Sequence, residues 1–201
     1  LYGFWTELHS KFEDGDAVWG AFHNVFCHIP LGALVSTSEG SRFFCVHGGL
    51  SPGMTSVNAV DIIERSDYGS MLDNESTSIA DGAMWSDPTS DDVRFVASER
   101  GCGFSFGPVV TQEFCNDNRL QFICRAHQMT MEGFAWTHGQ QCLTVFSAPN
   151  YCGMAGNLGA VMVVDDALDI EFVTFDVAAP KAGAEDAEED ETPAPQPGKY
   201  F

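Results

Sequence analysis

At 201 residues and 44% hydrophobic content, the chain is long enough for one domain with a sizeable core and too apolar to be disordered throughout. Nine Lys and Arg against 29 Asp and Glu give a formal net charge of −20, which argues against nucleic acid or an anionic membrane as partner, since both are bound through clustered cations. No apolar run approaches the length of a membrane span, and the opening LYGFWTELHSKF is not a signal peptide but reads as the middle of a domain, so a fragment is expected. Seven cysteines without a CxxC pair fit a reducing compartment, the cytoplasm first and the nucleus second.

The elements follow in order. Phe4, Leu8 and Phe12 are spaced for one helical face, and Val18, Phe22, Val25, Phe26 and Ile29 for another. GALVSTSEGSRFFCV reads as a hairpin of two apolar runs around a Ser/Gly turn. Residues 57–65 are expected to form a short helix, and the polar, Ser-rich residues 68–81 a loop. LQFICR (120–125) and LTVFSA (143–148) read as strands, and GAVMVVD (159–165) with DIEFVTFD (169–176) as a closing meander. Met129 and Met131 alternate as in a strand and are expected in the core or a pocket wall. From Asp176 on there are seven acids and two lysines among Ala, Pro and Gly, and such a segment cannot bury enough apolar surface to order itself. The expected domains are therefore a folded part, 1–178, and an acidic Ala/Pro-rich disordered tail, 179–201.

Three strands share one pattern. FFCV ends in His47 before Gly48-Gly49, LQFICR in Arg125-Ala126-His127-Gln128, and LTVFSA in Pro149-Asn150-Tyr151-Cys152-Gly153. Each delivers polar groups at a carboxyl end, where open sheets collect ligands. Two imidazoles converging there would make part of a transition-metal site, with the glycines letting the backbone pass close to metal or phosphate; a satisfied core histidine is the alternative for each alone. In RGCGFSFG (100–107) the guanidinium of Arg100 could pair phosphate oxygens as a planar fork, or be a surface arginine beside a turn.

HGGLSP, WSDP (85–88), RGCGFSFG, RAHQMTMEGF (125–134) and SAPNYCG (147–153) occur in one order. Together they resemble the serine/threonine phosphoprotein phosphatases, the metal-dependent family with types 1, 2A and 2B. YGFWTEL, FVTFDVAAPK and the final KYF are most similar to the type 2A branch, with types 4 and 6 as neighbours. The resemblance runs from Leu1 to about Pro180. It implies an α+β fold of α/β metallophosphatase type, with this chain as the C-terminal part of a β-sandwich flanked by helices. It also implies two divalent metal ions (Mn, Fe or Zn) that activate a water against a phosphoserine or phosphothreonine. Residue by residue, His47 and His127 match histidine ligands of the second metal. Arg100 matches an arginine that grips phosphate, and Tyr151 a tyrosine on the loop over the site. Trp85 and Asp87 would line the pocket as support. The implied partners are phosphoprotein substrates and scaffold or regulatory subunits.

The departures are equally specific. The family's GDxHG, GDxVDRG and GNHE motifs, which carry the remaining metal ligands, an arginine and the general-acid histidine, are absent from the sequence. No catalytic residue is therefore retained, and the chain alone is expected to bind metal weakly and hydrolyse little. The alternative is a non-catalytic remnant that binds phosphatase scaffold or regulatory subunits. Cys152 sits on the expected active-site loop, while His9, His23, His28 and His138 match no motif. The GMAGN that follows APNYC, and the acidic run before KYF, both differ from type 2A.

Overall fold

A computed structural model describes residues 3–61, 63, 65 and 75–178, with the side chains of 75–77 left aside. The expected tail and residues 68–74 of the expected loop lie outside the described residues. The chain opens with two helices, α1 (Phe4–Lys11) and α2 (Gly15–His28), the second capped by the Asp14 carboxylate accepting from Ala17 N at 2.9 Å. The hairpin β1 (Gly32–Ser36) and β2 (Arg42–Val46) follows, then a 3₁₀ turn at Val57–Val60 and helix α3 (Glu75–Trp85). Three short strands, β3 (Asp87–Pro88), β4 (Phe95–Ala97) and β5 (Phe104–Phe106), form a small sheet in the order β3-β5-β4. Helix α4 (Pro108–Asn118) starts on a proline, whose missing N–H costs nothing in a first turn. After it come β6 (Phe122–Arg125), β7 (Phe134–Thr137), β8 (Cys142–Val145), β9 (Gly159–Val164) and β10 (Ile170–Phe175).

The main sheet runs β1-β2-β6-β8-β7, with β2, β6 and β8 parallel and β1 and β7 antiparallel at its edges. Alternation along the strands divides the core in two. Phe44, Val46, Ile123 and Cys142 point to one face, where Ile79, Ala80 and Ala83 of α3 and Val110, Phe114 and Cys115 of α4 cover them. Phe43, Phe122 and Leu143 point to the other, against Met162, Val164, Ile170 and Phe172 of the β9-β10 pair. Each fully buried Phe, Ile or Leu contributes about 1.5–3 kcal/mol relative to exposure. The result is the expected α+β arrangement of sheet layers and helices.

Several expectations are corrected. Residues 75–81, expected as loop, begin α3. Its buried stripe is Ile79, Ala80 and Ala83, and with one large apolar residue among alanines the segment's composition reads as polar linker rather than core. The helix expected over 57–65 is a single 3₁₀ turn at 57–60, and residues 62 and 64 lie outside the described residues. Phe12 does not continue the α1 face: it is extended, with φ −124° and ψ 140°, and exposed. Met129 and Met131 are exposed in the loop after β6 rather than in a core or pocket wall. Helix α4, strand β7 and the small sheet formed no part of the sequence expectation.

Candidate active site

The parallel strands β2 and β6 end side by side, which brings His47 and His127 to one edge. Ala126 N donates to His47 O at 3.1 Å, tying the two strand ends together. The rings meet, with His47 Nε2 3.1 Å from His127 Nδ1. His127 itself lies in the left-handed region at φ 54°, and the next amide, Gln128 N, folds back to Ala126 O at 2.6 Å. Such a backbone costs about 1–3 kcal/mol for a non-glycine residue and persists where surrounding structure fixes it. The Trp85 ring stands edge-on to His127, with centroids 5.5 Å apart. Burial holds the pKa of His47 below its ordinary value, helped by the nearby Arg125 charge. The same causes, burial first and the Arg100 charge second, push His127 down to about 4. Both imidazoles are thus neutral near pH 7, the form that binds metal.

Gly48 and Gly49 serve another purpose than expected. Their amides donate to Ala83 O and Gly82 O at 2.6 and 2.9 Å, so the turn lies flat on the end of α3. A Cβ on Gly48 would sit 2.5 Å from Trp85 N, and one on Gly49 2.2 Å from the Phe106 ring. The close approach that requires glycine is to protein, at the helix end and the ring.

Behind the histidines lies a buried ionic group. Arg125 is 2% exposed, and its guanidinium donates to Gly48 O (2.7 Å), Ser86 O (3.0 Å), Gln128 Oε1 (3.0 Å) and Asp87 Oδ1 (2.7 Å). The other oxygen of Asp87 accepts from Arg100 Nε at 2.6 Å. One carboxylate therefore holds two guanidiniums, one sealed and one at the surface. Arg100 sits at the tip of the β4–β5 hairpin, where Gly101 and Gly103 take φ of 80° and 72°. It lines a groove of about 590 Å³ with Asp87, Ser105 and Gln128.

A second hollow, of about 460 Å³, is lined by His47, Ala126, His127, Phe146, Ser147 and Tyr151. Tyr151 is half-exposed and its ring packs edge-on against Phe146 at 5.1 Å between centroids. Its loop is held by Asn157, which is fully buried. Asn157 Oδ1 accepts from Tyr151 N, and Asn157 Nδ2 donates to Ala148 O and Leu158 O, at 2.8, 2.9 and 2.9 Å. The four expected residues thus divide: His47, His127 and Tyr151 line one hollow, and Arg100 the adjoining groove, with Ala126–Gln128 between them. Sequence reasoning overlooked Arg125, the double role of Asp87, and Asn157. A charged residue directly ending the apolar run LQFIC was the available signal for the first.

The donor set can be tested against a metal. Two ligand nitrogens at about 2.1 Å from one ion stand about 3 Å apart at a right angle, which the histidine pair matches. His127 Nε2 is buried with no hydrogen-bond partner among the described residues, so the ring is not held by bonds on both nitrogens. Among the described residues no three His, Cys, Asp or Glu side chains converge to hold an ion. The residues fit part of a metal site.

Residues 2–131 match the calcineurin-like phosphoesterase family. The chain belongs to that family. It is also similar to a solved protein serine/threonine phosphatase from Saccharomyces cerevisiae, described as having similarity to human phosphatase PP5, with a TM-score of 0.71 and 28% identity. The match covers 90% of this chain and 57% of that one, so the chain spans little more than half the length of that phosphatase. The likeness supports a place among the phosphoprotein phosphatases within the family.

Proposed function

We propose that this phosphoesterase-family chain is the C-terminal part of a protein serine/threonine phosphatase of the type 2A-like branch, acting on phosphoserine and phosphothreonine. Residues 1–178 would be the catalytic-domain part and 179–201 an acidic tail. The observation that carries the reading is the 3.1 Å approach of His47 Nε2 to His127 Nδ1 beside an arginine held by a carboxylate. His47 and His127 would hold one divalent ion through those nitrogens. Such ions, when bound, lower the pKa of a water and neutralise phosphoryl charge. Arg100 would grip phosphate oxygens with its Nη groups, since Asp87 engages its Nε. Tyr151 would close the hollow over the phosphate. Substrates reach the site as phosphoproteins brought by scaffold or regulatory subunits, in the cytoplasm and also the nucleus.

Two neutral imidazoles cannot offset the repulsion of a pair of divalent ions held close together. The 201 residues alone are therefore expected to bind manganese or zinc weakly and to hydrolyse phosphopeptide at background rate. The test compares this chain with the same chain joined behind a segment carrying GDxHG, GDxVDRG and GNHE. Metal-dependent hydrolysis should appear only in the longer protein and be lost in its His127→Ala and Arg100→Ala variants. Hydrolysis by the 201 residues alone, or its survival in His127→Ala, would overturn the assignment.

A further inference from the structure

Strands β2 and β6 run parallel with Phe43 opposite Phe122, Phe44 opposite Ile123 and Cys45 opposite Cys124. Opposed residues leave the sheet on the same side, and both cysteines pack with Phe43 and Phe122 on the β9-β10 face. Strands about 4.8 Å apart place an opposed pair of Cα atoms inside the roughly 4.4–6.8 Å that a disulfide spans. Cys45 and Cys124 are therefore side-by-side neighbours across the strand pair. Both are half-buried, so a small oxidant can reach them. Cys115 and Cys142 are also near one another, but they lie on the opposite face of the sheet and are sealed at 1% and 0% exposure.

We propose that Cys45 and Cys124 form a dithiol that a hydroperoxide oxidises to a cross-strand disulfide directly behind the two strand-end histidines. In the first step one thiol sulfur takes an oxygen from the peroxide, giving a sulfenic acid and, with hydrogen peroxide, one water. The other thiol then attacks that sulfur; the S–S bond forms, the S–O bond breaks, and the hydroxyl leaves with the attacking thiol's proton as a second water. Two thiols are oxidised and one peroxide is reduced. A disulfide is opened by attack of a thiolate on one of its sulfurs, so an added dithiol restores both thiols. The modification is therefore reversible. It pulls β2 toward β6 two residues before His47 and three before His127. It holds whether or not the chain hydrolyses phosphate.

The test is made on the full, reduced 201-residue chain. It is treated with hydrogen peroxide, its remaining thiols are alkylated, and it is digested without reductant for mass spectrometry. The expected product is a Cys45 peptide joined to a Cys124 peptide, with both thiols lost to alkylation and both recovered after dithiothreitol. Cys45→Ser and Cys124→Ser should each lack that product, and in each the remaining partner should stay alkylatable or stop at sulfenic acid. The same oxidation in urea should scatter bridges among the seven cysteines. Peroxide that oxidises Cys152 while Cys45 and Cys124 both remain alkylatable overturns the proposal. So does a Cys45–Cys124 bridge that is no more abundant in the native chain than in urea.

Discussion

On one side of the Ala126–Gln128 loop a buried guanidinium meets an acceptor at every nitrogen, and on the other a buried imidazole nitrogen meets none among the described residues. Arg125 is sealed from water with donors spent on two carbonyls, an amide oxygen and Asp87. His127, two residues later, keeps a buried Nε2 without a partner among the described residues, and its Nδ1 meets only another imidazole. The ionic group is part of the fold, since this chain supplies both charges and every acceptor. The histidine pair has nitrogens suited to a cation, but among the described residues no third His, Cys, Asp or Glu converges with them on one ion. The difference teaches that a site can be rigidly built on one flank and chemically incomplete on the other.

The largest expected effect lies on the completed flank. Asp87→Ala leaves Arg125 as an uncompensated buried charge, and breaking such a pair typically costs about 3–5 kcal/mol. Urea denaturation of the variant should show a loss of that size. A loss under about 1 kcal/mol would mean that the carbonyl acceptors suffice and that the two flanks differ less than described.

That flank was the harder one to read from sequence. Strand ends delivering His47 and His127 are visible as apolar runs stopped by a polar residue, and the β1–β2 hairpin as two runs about a Ser/Gly turn. A buried salt bridge carries no such pattern, because Asp87 and Arg125 are 38 residues apart and lie on different sheets. Helix α3 escaped for a related reason. Its inward residues are Ile79, Ala80 and Ala83, and Gly82 lies hard against Ser51, where a Cβ would come within 2.3 Å. Tight packing against a turn selects small side chains, which blur the apolar period that would announce a helix. Gly48 and Gly49 were legible as a close approach, but sequence alone could not tell whether to ligand or to protein.

Acid should separate the flanks next. His47, His127 and His138 all have pKa values held below the ordinary 6.5, burial being the leading cause in each. His138 is tethered through its ring to Thr111 Oγ1 at 2.8 Å and Thr89 O at 2.9 Å. A depressed histidine is neutral in the fold, so below pH 6.5 the unfolded chain takes up protons first and stability falls with falling pH. The decline should run from about pH 6.5 toward about 4, the value reached by His127, and be opposed weakly by the partly exposed His9, whose pKa is raised by its bond to Trp5 O and by Asp16. Denaturation midpoints across this window should fall toward acid, with a shallower slope in His138→Gln. A flat profile would show that these rings are as solvated as in the unfolded chain.

A metal should act on the incomplete flank alone. Zinc in solution is expected to raise the melting temperature of the chain modestly, because binding only to the folded form stabilises it by about 1.4 kcal/mol at tenfold excess over the dissociation constant. His47→Ala and His127→Ala should each abolish that rise. Persistence of the shift in the double variant would locate the metal elsewhere.

The smallest effect on stability is expected at Arg100, and it discriminates most finely between the flanks. Arg100 and Arg125 share Asp87 at nearly equal distances, 2.6 and 2.7 Å, yet the Arg100 side chain is 27% exposed and that of Arg125 is wholly buried. Removing Arg100 leaves Asp87 still paired with Arg125, so Arg100→Ala should cost no more than the roughly 0–1 kcal/mol of a partly solvated pair. Asp87→Ala, by contrast, strands both guanidiniums. If Arg100 instead proved as costly as Asp87, the carboxylate would need both partners, and Arg100 would be structural rather than free to grip phosphate. If it is cheap, and weak protection of the chain by inorganic phosphate disappears with it, the exposed arginine is the point where the finished flank reaches the open one.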